Sequence, residues 1–288
     1  MKTILACAYP LILSILSPVA LAELDIGLVD PEWEFSDDFE SPTPDASFWQ
    51  GEGVYLRYSI PDPTSSGNKV MEMKYVPNSE GSGDSWSEYD FRLGVNAVQL
   101  HMSFDIYIPE DYIHIEHNHK LFYLWSGVYG TSNANISINS EMWGMPGGAS
   151  PSIYIGVDGN NYGHSMISGE PLIMKDREGS WSRIDVLLQL AEDSHTKGSV
   201  EIYKDGVFIT GTHHPQLQKA YTQAPLGKNL IPFSTRGNFI DQGTLLGWAN
   251  GADGGGFLVD TVFLIDNFKI QANSKIGATK GSRRAKVP

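Results

Sequence analysis

Two-residue alternation of apolar and polar positions runs through most of the chain. In the longest stretch Val98, Leu100, Met102, Phe104, Ile106 and Ile108 alternate with Gln99, His101, Ser103, Asp105 and Tyr107. Period two over that length predicts a strand with one buried and one polar face. Just upstream, Tyr89, Phe91 and Leu93 alternate with Glu88, Asp90 and Arg92, and residues 94–97 separate the two runs. The pair predicts a β-hairpin whose two polar rows share one face of a sheet. Further strands are expected at residues 70–76, 120–125, 152–157, 183–190, 200–203, 207–210 and 257–270. Lys204-Asp205-Gly206 predicts a tight hairpin, because Asp-Gly readily takes the positive φ such turns need. At residues 120–125, strict alternation puts Lys120, Phe122 and Leu124 in one row and Tyr123 and Trp125 in the other. The Ser126-Gly127 that follows favours the register in which Tyr123 and Trp125 line a cleft and Lys120 sits at its rim.

No stretch has a helical period of useful length, and Gly, Pro, Asn and Ser clusters separate the strands. This predicts an all-β fold, an antiparallel β-sandwich, with residues 23–271 as one domain. Residues 272–288 carry five Lys or Arg, no acid and little apolar surface, and are expected to form a disordered basic tail.

The first residues change the picture of the chain's destination. Lys2, an apolar run to Val19 and then Ala20-Leu21-Ala22 follow the order of a secretory signal, with cleavage before Glu23. The only cysteine, Cys7, lies in that segment, so a hydrophobic core rather than disulfides must hold the mature fold. A secreted or periplasmic protein is expected, without a membrane span and monomeric. The net charge of −14 repels phosphate backbones and excludes nucleic acid as the expected partner.

Four segments resemble the concanavalin A-like jelly-roll superfamily: residues 35–40 (FSDDFE), 179–186 (GSWSRIDV), 200–206 (VEIYKDG) and 263–270 (FLIDNFKI). The resemblance implies a jelly-roll sandwich of the kind used by secreted polysaccharide lyases, glucanases and lectin-like modules. Three shorter fragments resemble alginate-lyase and heparin-lyase-like enzymes. Residues 88–92 (EYDFR) are similar to an Arg-x-Glu-x-Arg strand, residues 99–101 (QLH) to Gln-Ile-His, and residues 123–129 (YLWSGVY) to Tyr-Phe-Lys-x-Gly-x-Tyr. Glu88 stands where the first Arg would be and Trp125 where the Lys would be.

A polysaccharide lyase removes the C5 proton of a uronate and expels the O4 substituent. It needs a group that neutralises the carboxylate, a base that titrates near neutrality and an acid for the leaving oxygen. On the predicted hairpin face, His101 is the candidate base and Arg92 and Gln99 the candidates for the carboxylate; Tyr123 or Tyr129 could supply a phenol, with Tyr129 the candidate acid. Glu88, Asp90, Lys120, Tyr123, Trp125 and Trp143 are the candidate substrate-binding residues. Cross-strand ion pairing on a solvated sheet is the competing role for the charged members. Glu40 and Asp266 are oxygen donors that could share a structural Ca²⁺, or cap backbone amides; no cofactor is required. His114, His117 and His119 match no zinc spacing.

The expected partner is a polysaccharide. The leading functional expectation is a lyase acting by β-elimination on a uronate-containing glycan. A non-catalytic carbohydrate-binding protein is the first alternative and a glycoside hydrolase the second, since Leu93 replaces the last acid of a Glu-x-Asp-x-x-Glu strand.

Overall fold

The computed structural model describes residues 25–77, 85–112, 118–127, 134–139, 152–157, 160–165, 178–190, 198–211, 239–250 and 256–281. Among them all regular structure is β. The strands are β1 Gly27–Leu28, β2 Trp33–Asp37, β3 Trp49–Val54, β4 Leu56–Pro61, β5 Lys69–Tyr75, β6 Ser85–Ala97, β7 Gln99–Ile108, β8 Asn118–Trp125 and β9 Ala134–Asn139. They continue with β10 Ser152–Val157, β11 Asn160–Ser165, β12 Ser180–Gln189, β13 Ser199–Lys204, β14 Val207–Gly211, β15 Ile240–Asn250, β16 Thr261–Asn273 and β17 Thr279–Lys280. A seven-stranded sheet in the order β11-β10-β9-β8-β15-β6-β3 faces an eight-stranded one, β14-β13-β12-β7-β16-β5-β4 with β2 also on β16. Every pairing is antiparallel. The core between the sheets is built from the predicted apolar rows, with Tyr89, Phe91 and Leu93 on one side and Leu100, Met102, Phe104 and Ile106 on the other. Phe48 stacks on Phe91 and Trp49 on Tyr89, with ring centroids 5.2 and 4.5 Å apart.

The Asp205-Gly206 hairpin forms as expected between β13 and β14, with φ of 49° and 74° at its two central residues. The other expected hairpin does not form. β6 pairs with β15 and β3, whereas β7 pairs with β12 and β16 in the opposite sheet. The chain crosses between sheets at Val98, so the two apolar rows meet across the core and the two polar rows point in opposite directions. Alternation defines which residues share a row; it does not say which sheet the row joins.

The segment expected as a disordered tail carries structure as far as Gly281. Ala272 and Asn273 end β16, and Thr279–Lys280 pairs with Gly27–Leu28 to form a two-stranded ribbon. Ile26 and Leu28 pack on Leu187 and Tyr203 in a second apolar cluster, outside the main core. The ribbon can cover the outer face of the eight-stranded sheet over β7 and β16 because backbone pairing and these apolar contacts offset the low hydrophobicity of its own sequence.

Candidate functional site

The outer face of the seven-stranded sheet gathers most of the candidates. In β6, Tyr89 and Phe91 are buried, so Trp86, Glu88, Asp90 and Arg92 point outward, and Asp90 and Arg92 are exposed. In β15, Gln242 lies opposite Arg92 and Thr244 opposite Asp90, and the same residues face Trp125 and Tyr123 of β8. Residues directly opposite in an antiparallel pair share a face, so register alone aligns Arg92 with Trp125 and Asp90 with Tyr123, each across one residue of β15.

Lys120 reaches this face through a bulge. The register of β8 against β9 shifts between Lys120 and Phe122, and Leu121 and Phe122 both enter the core. The extra residue takes Lys120 out of the row that strict alternation assigned to it and turns it toward Tyr123, with Nζ 5.6 Å from the ring centroid. Tyr123 stacks on Trp125 at 5.2 Å. Trp125 thus occupies the outer row as expected, yet it is only 6% exposed. A second bulge lies in β15, where register against β8 shifts between Leu245 and Ala249 and Leu246 takes φ 55°.

Partial burial sets the electrostatics. Glu88 is pushed up from the ordinary carboxyl range by desolvation, with the Asp90 charge adding to that; the Trp86 indole N–H and the Lys120 charge oppose it. Asp90, although its side chain is exposed, is also raised, by the protein atoms that crowd its carboxyl and displace part of its solvent; the Thr244 hydroxyl, donating to it, acts against that. Lone carboxyls that lose solvent shift this way.

Sequence reasoning missed Asp241. It sits where β15 shifts register against β6, between Ile240 and Gln242. Its carboxyl is raised by burial and lowered by the Gly127 N–H and by Arg92. Gln242 donates to the Gly127 carbonyl, so two adjacent β15 residues hold the backbone that leaves Trp125. Asp241, Gln242, Gly127 and Arg92 line a cleft of about 690 Å³. The only sequence signal for this was an acid two residues before Gly243 in a segment with no clean alternation.

Gln99 and His101 are elsewhere. They lie in β7, on the outer face of the other sheet, 1% and 3% exposed beneath the β1–β17 ribbon. Gln99 donates to the Gly277 carbonyl and accepts from the Gly277 N–H, both at 2.9 Å. His101 Nε2 lies 2.9 Å from Asp185 Oδ1. The expected grouping of Arg92, Gln99 and His101 is therefore corrected: the sandwich separates Arg92 from the other two. Tyr129 and Trp143 lie outside the described residues, as do His114 and His117. His119 is in the core, against Tyr75 and Phe263.

The proposed Ca²⁺ donors are used as caps. Glu40 accepts the Lys69 N–H, and Asp266 accepts from the Asn267 N–H and from Asn68. Among the described residues, no group of three or more His, Cys, Asp or Glu has the arrangement of a metal site, and no helix is long and apolar enough to cross a membrane.

No protein-family profile matches the chain, and no curated protein matches it. Among solved structures it is similar to the endo-β-1,4-glucuronan lyase of the fungus Trichoderma reesei, at 12% identity over 86% of this chain and 94% of that one, with a TM-score of 0.51. It is also similar to an alginate lyase of a Chlorella virus, at 12% identity over 78% and 91% of the two chains, with a TM-score of 0.49. At such identities the likeness is one of fold. With its two facing antiparallel sheets and its likeness to the glucuronan lyase, the chain has a jelly-roll β-sandwich fold.

Proposed function

We propose that the protein is a secreted or periplasmic polysaccharide lyase that cleaves a uronate-containing glycan by β-elimination on the outer face of the seven-stranded sheet. The observation that carries this reading is one surface on which two cations, Arg92 and Lys120, stand with the Tyr123–Trp125 aromatic pair. An exposed guanidinium can hold the uronate carboxylate bidentately, which acidifies C5. A base then takes the C5 proton, the C4–O4 bond breaks, the C4–C5 double bond forms and the leaving oxygen is protonated. Among the described residues Tyr123 brings a phenol to this face that can take part in proton transfer, and Tyr129 is retained as the acid. The aromatic pair offers the apolar surface on which a sugar ring packs. His101 and Gln99 have no part in this proposal, because both are buried on the far face of the sandwich.

One observation favours a second reading, glycoside hydrolysis. Glu88 and Asp90 lie two residues apart on the same face, and loss of solvent raises both carboxyls, as a general acid requires. Incubating the mature protein with a panel of uronate glycans separates the two. A lyase generates ultraviolet absorbance from the unsaturated product, while a hydrolase releases reducing ends without it. Arg92→Ala is expected to abolish the absorbance gain. Binding without new ends of either kind would identify a carbohydrate-binding protein and overturn both enzymatic readings.

A further inference from the structure

The charge pattern of the proposed site narrows its substrate class, and this inference rests on the lyase reading. In β6, Arg92 follows Glu88 and Asp90 at two-residue steps along one row, about 7 Å per step. Asp241 lines the adjoining cleft beside Arg92, close enough for the guanidinium to act on its carboxyl. Glu32 lines the same cleft, its carboxylate bonded to the N–H and hydroxyl of Ser274. Among the described residues, Arg92 and Lys120 therefore stand among four carboxylates, of which Glu32 has Lys275 near it.

A polyuronate carries a carboxylate on every sugar. A chain laid along this surface could place one carboxylate on Arg92 and another near Lys120, and its other carboxylates would meet Glu88, Asp90, Asp241 or Glu32. Like charges in a partly desolvated cleft repel. A neutral sugar brings hydroxyls, and a hydroxyl donates. The carboxyls of Asp90 and Asp241 are acceptors that a sugar hydroxyl can satisfy and an ionised sugar carboxylate cannot.

We propose that the site takes a heteroglycan in which an isolated uronate is flanked by neutral sugars, with Arg92 receiving the uronate carboxylate and Asp90 and Asp241 accepting hydroxyl hydrogen bonds from the flanking sugars. Continuous polyuronates are discriminated against by repulsion.

The test uses the mature full-length protein and two sets of oligosaccharides of matched length: repeats with one glucuronate among neutral hexoses, and homo-oligomers of glucuronate, mannuronate or guluronate. Binding by calorimetry and absorbance of the unsaturated product are measured on both sets. Binding of the heteroglycan set about tenfold or more tighter, corresponding to about 1.4 kcal/mol, is expected, with the gap narrowing as salt is raised. Asp90→Asn with Asp241→Asn should narrow it at fixed salt. Equal or tighter binding of the homo-oligomers overturns the inference, even if they are turned over and the lyase reading stands. Preferential binding of the heteroglycans without unsaturated product sustains the inference and overturns the lyase reading. Binding of neither set overturns both.

Discussion

Nε2 of His101 stands 2.9 Å from Oδ1 of Asp185, under the N-terminal ribbon and on the side of the sandwich away from Arg92. Both side chains are at least nine-tenths buried, and Arg183 Nε approaches the other Asp185 oxygen only at 3.8 Å. His101→Ala strips a buried carboxylate of its nearest partner, and we expect a loss of roughly 3 kcal/mol in a denaturant melt. Activity per folded molecule should be retained. Loss of turnover at unchanged stability would return His101 to the chemistry and contradict the placement of the site.

Trp125 gives the converse case. It lies in the outer row beside Tyr123 yet is 6% exposed, so its indole contributes to stability as well as to the sugar platform. Trp125→Ala is expected to cost about 3–5 kcal/mol and also to weaken glycan binding in the fraction that remains folded. Tyr123, which is only partly buried, should lose affinity on truncation to Ala with a smaller stability cost. A melt in which the two variants lose equally little would show that the outer row is not packed as described.

These two residues show what the sequence reveals of this protein. The rows containing His101 and Trp125 are both legible from alternation, as are the jelly-roll class and the Asp205-Gly206 turn. The partner sheet of each row is not. β6 and β7 adjoin in sequence and separate in space because pairing is decided by β12, β15 and β16, far along the chain. The bulge at Leu121 has no local mark either: two consecutive apolar residues in a strand are compatible with unbroken alternation until the neighbouring register is known. Asp241 was hidden for the same reason, since a register shift sets its direction.

Gly243 tests how tightly β15 is seated beneath the site. A Cβ there would stand 2.6 Å from Phe91 Cζ and 2.7 Å from Leu124 Cδ2, closer than packed carbons approach. Gly243→Ala should therefore cost about 1–3 kcal/mol by overpacking. It should also weaken glycan binding, because Gln242 and Thr244 flank this residue on the outer face. An Ala variant as stable as the parent would mean that β15 stands further from β6 and β8.

His119 predicts a pH dependence that arises in the core, not at the site. Its ring is fully buried, with Nε2 3.0 Å from the Tyr75 hydroxyl and the imidazole stacked on Phe263. Burial disfavours the charged ring and lowers its pKa from 6.5 to about 3. The unfolded chain therefore binds a proton between those values that the folded chain does not, and stability falls as pH drops through that window. Glu88, Asp90 and Asp241 act with the opposite sign: their raised carboxyls favour the folded state at low pH, and that contribution is lost as pH rises through their folded values. His119→Phe keeps an aromatic ring in the Phe263 stack and costs about 1 kcal/mol at neutral pH for the lost Tyr75 hydrogen bond. Relative to the parent, the variant should gain stability steadily as pH is lowered from about 6.5 toward 3, and chemical denaturation of the pair across that range separates the effect of His119 from that of every other titrating group. Parallel curves would mean that His119 takes up its proton equally in the folded and unfolded chains, and so is not enclosed in the core.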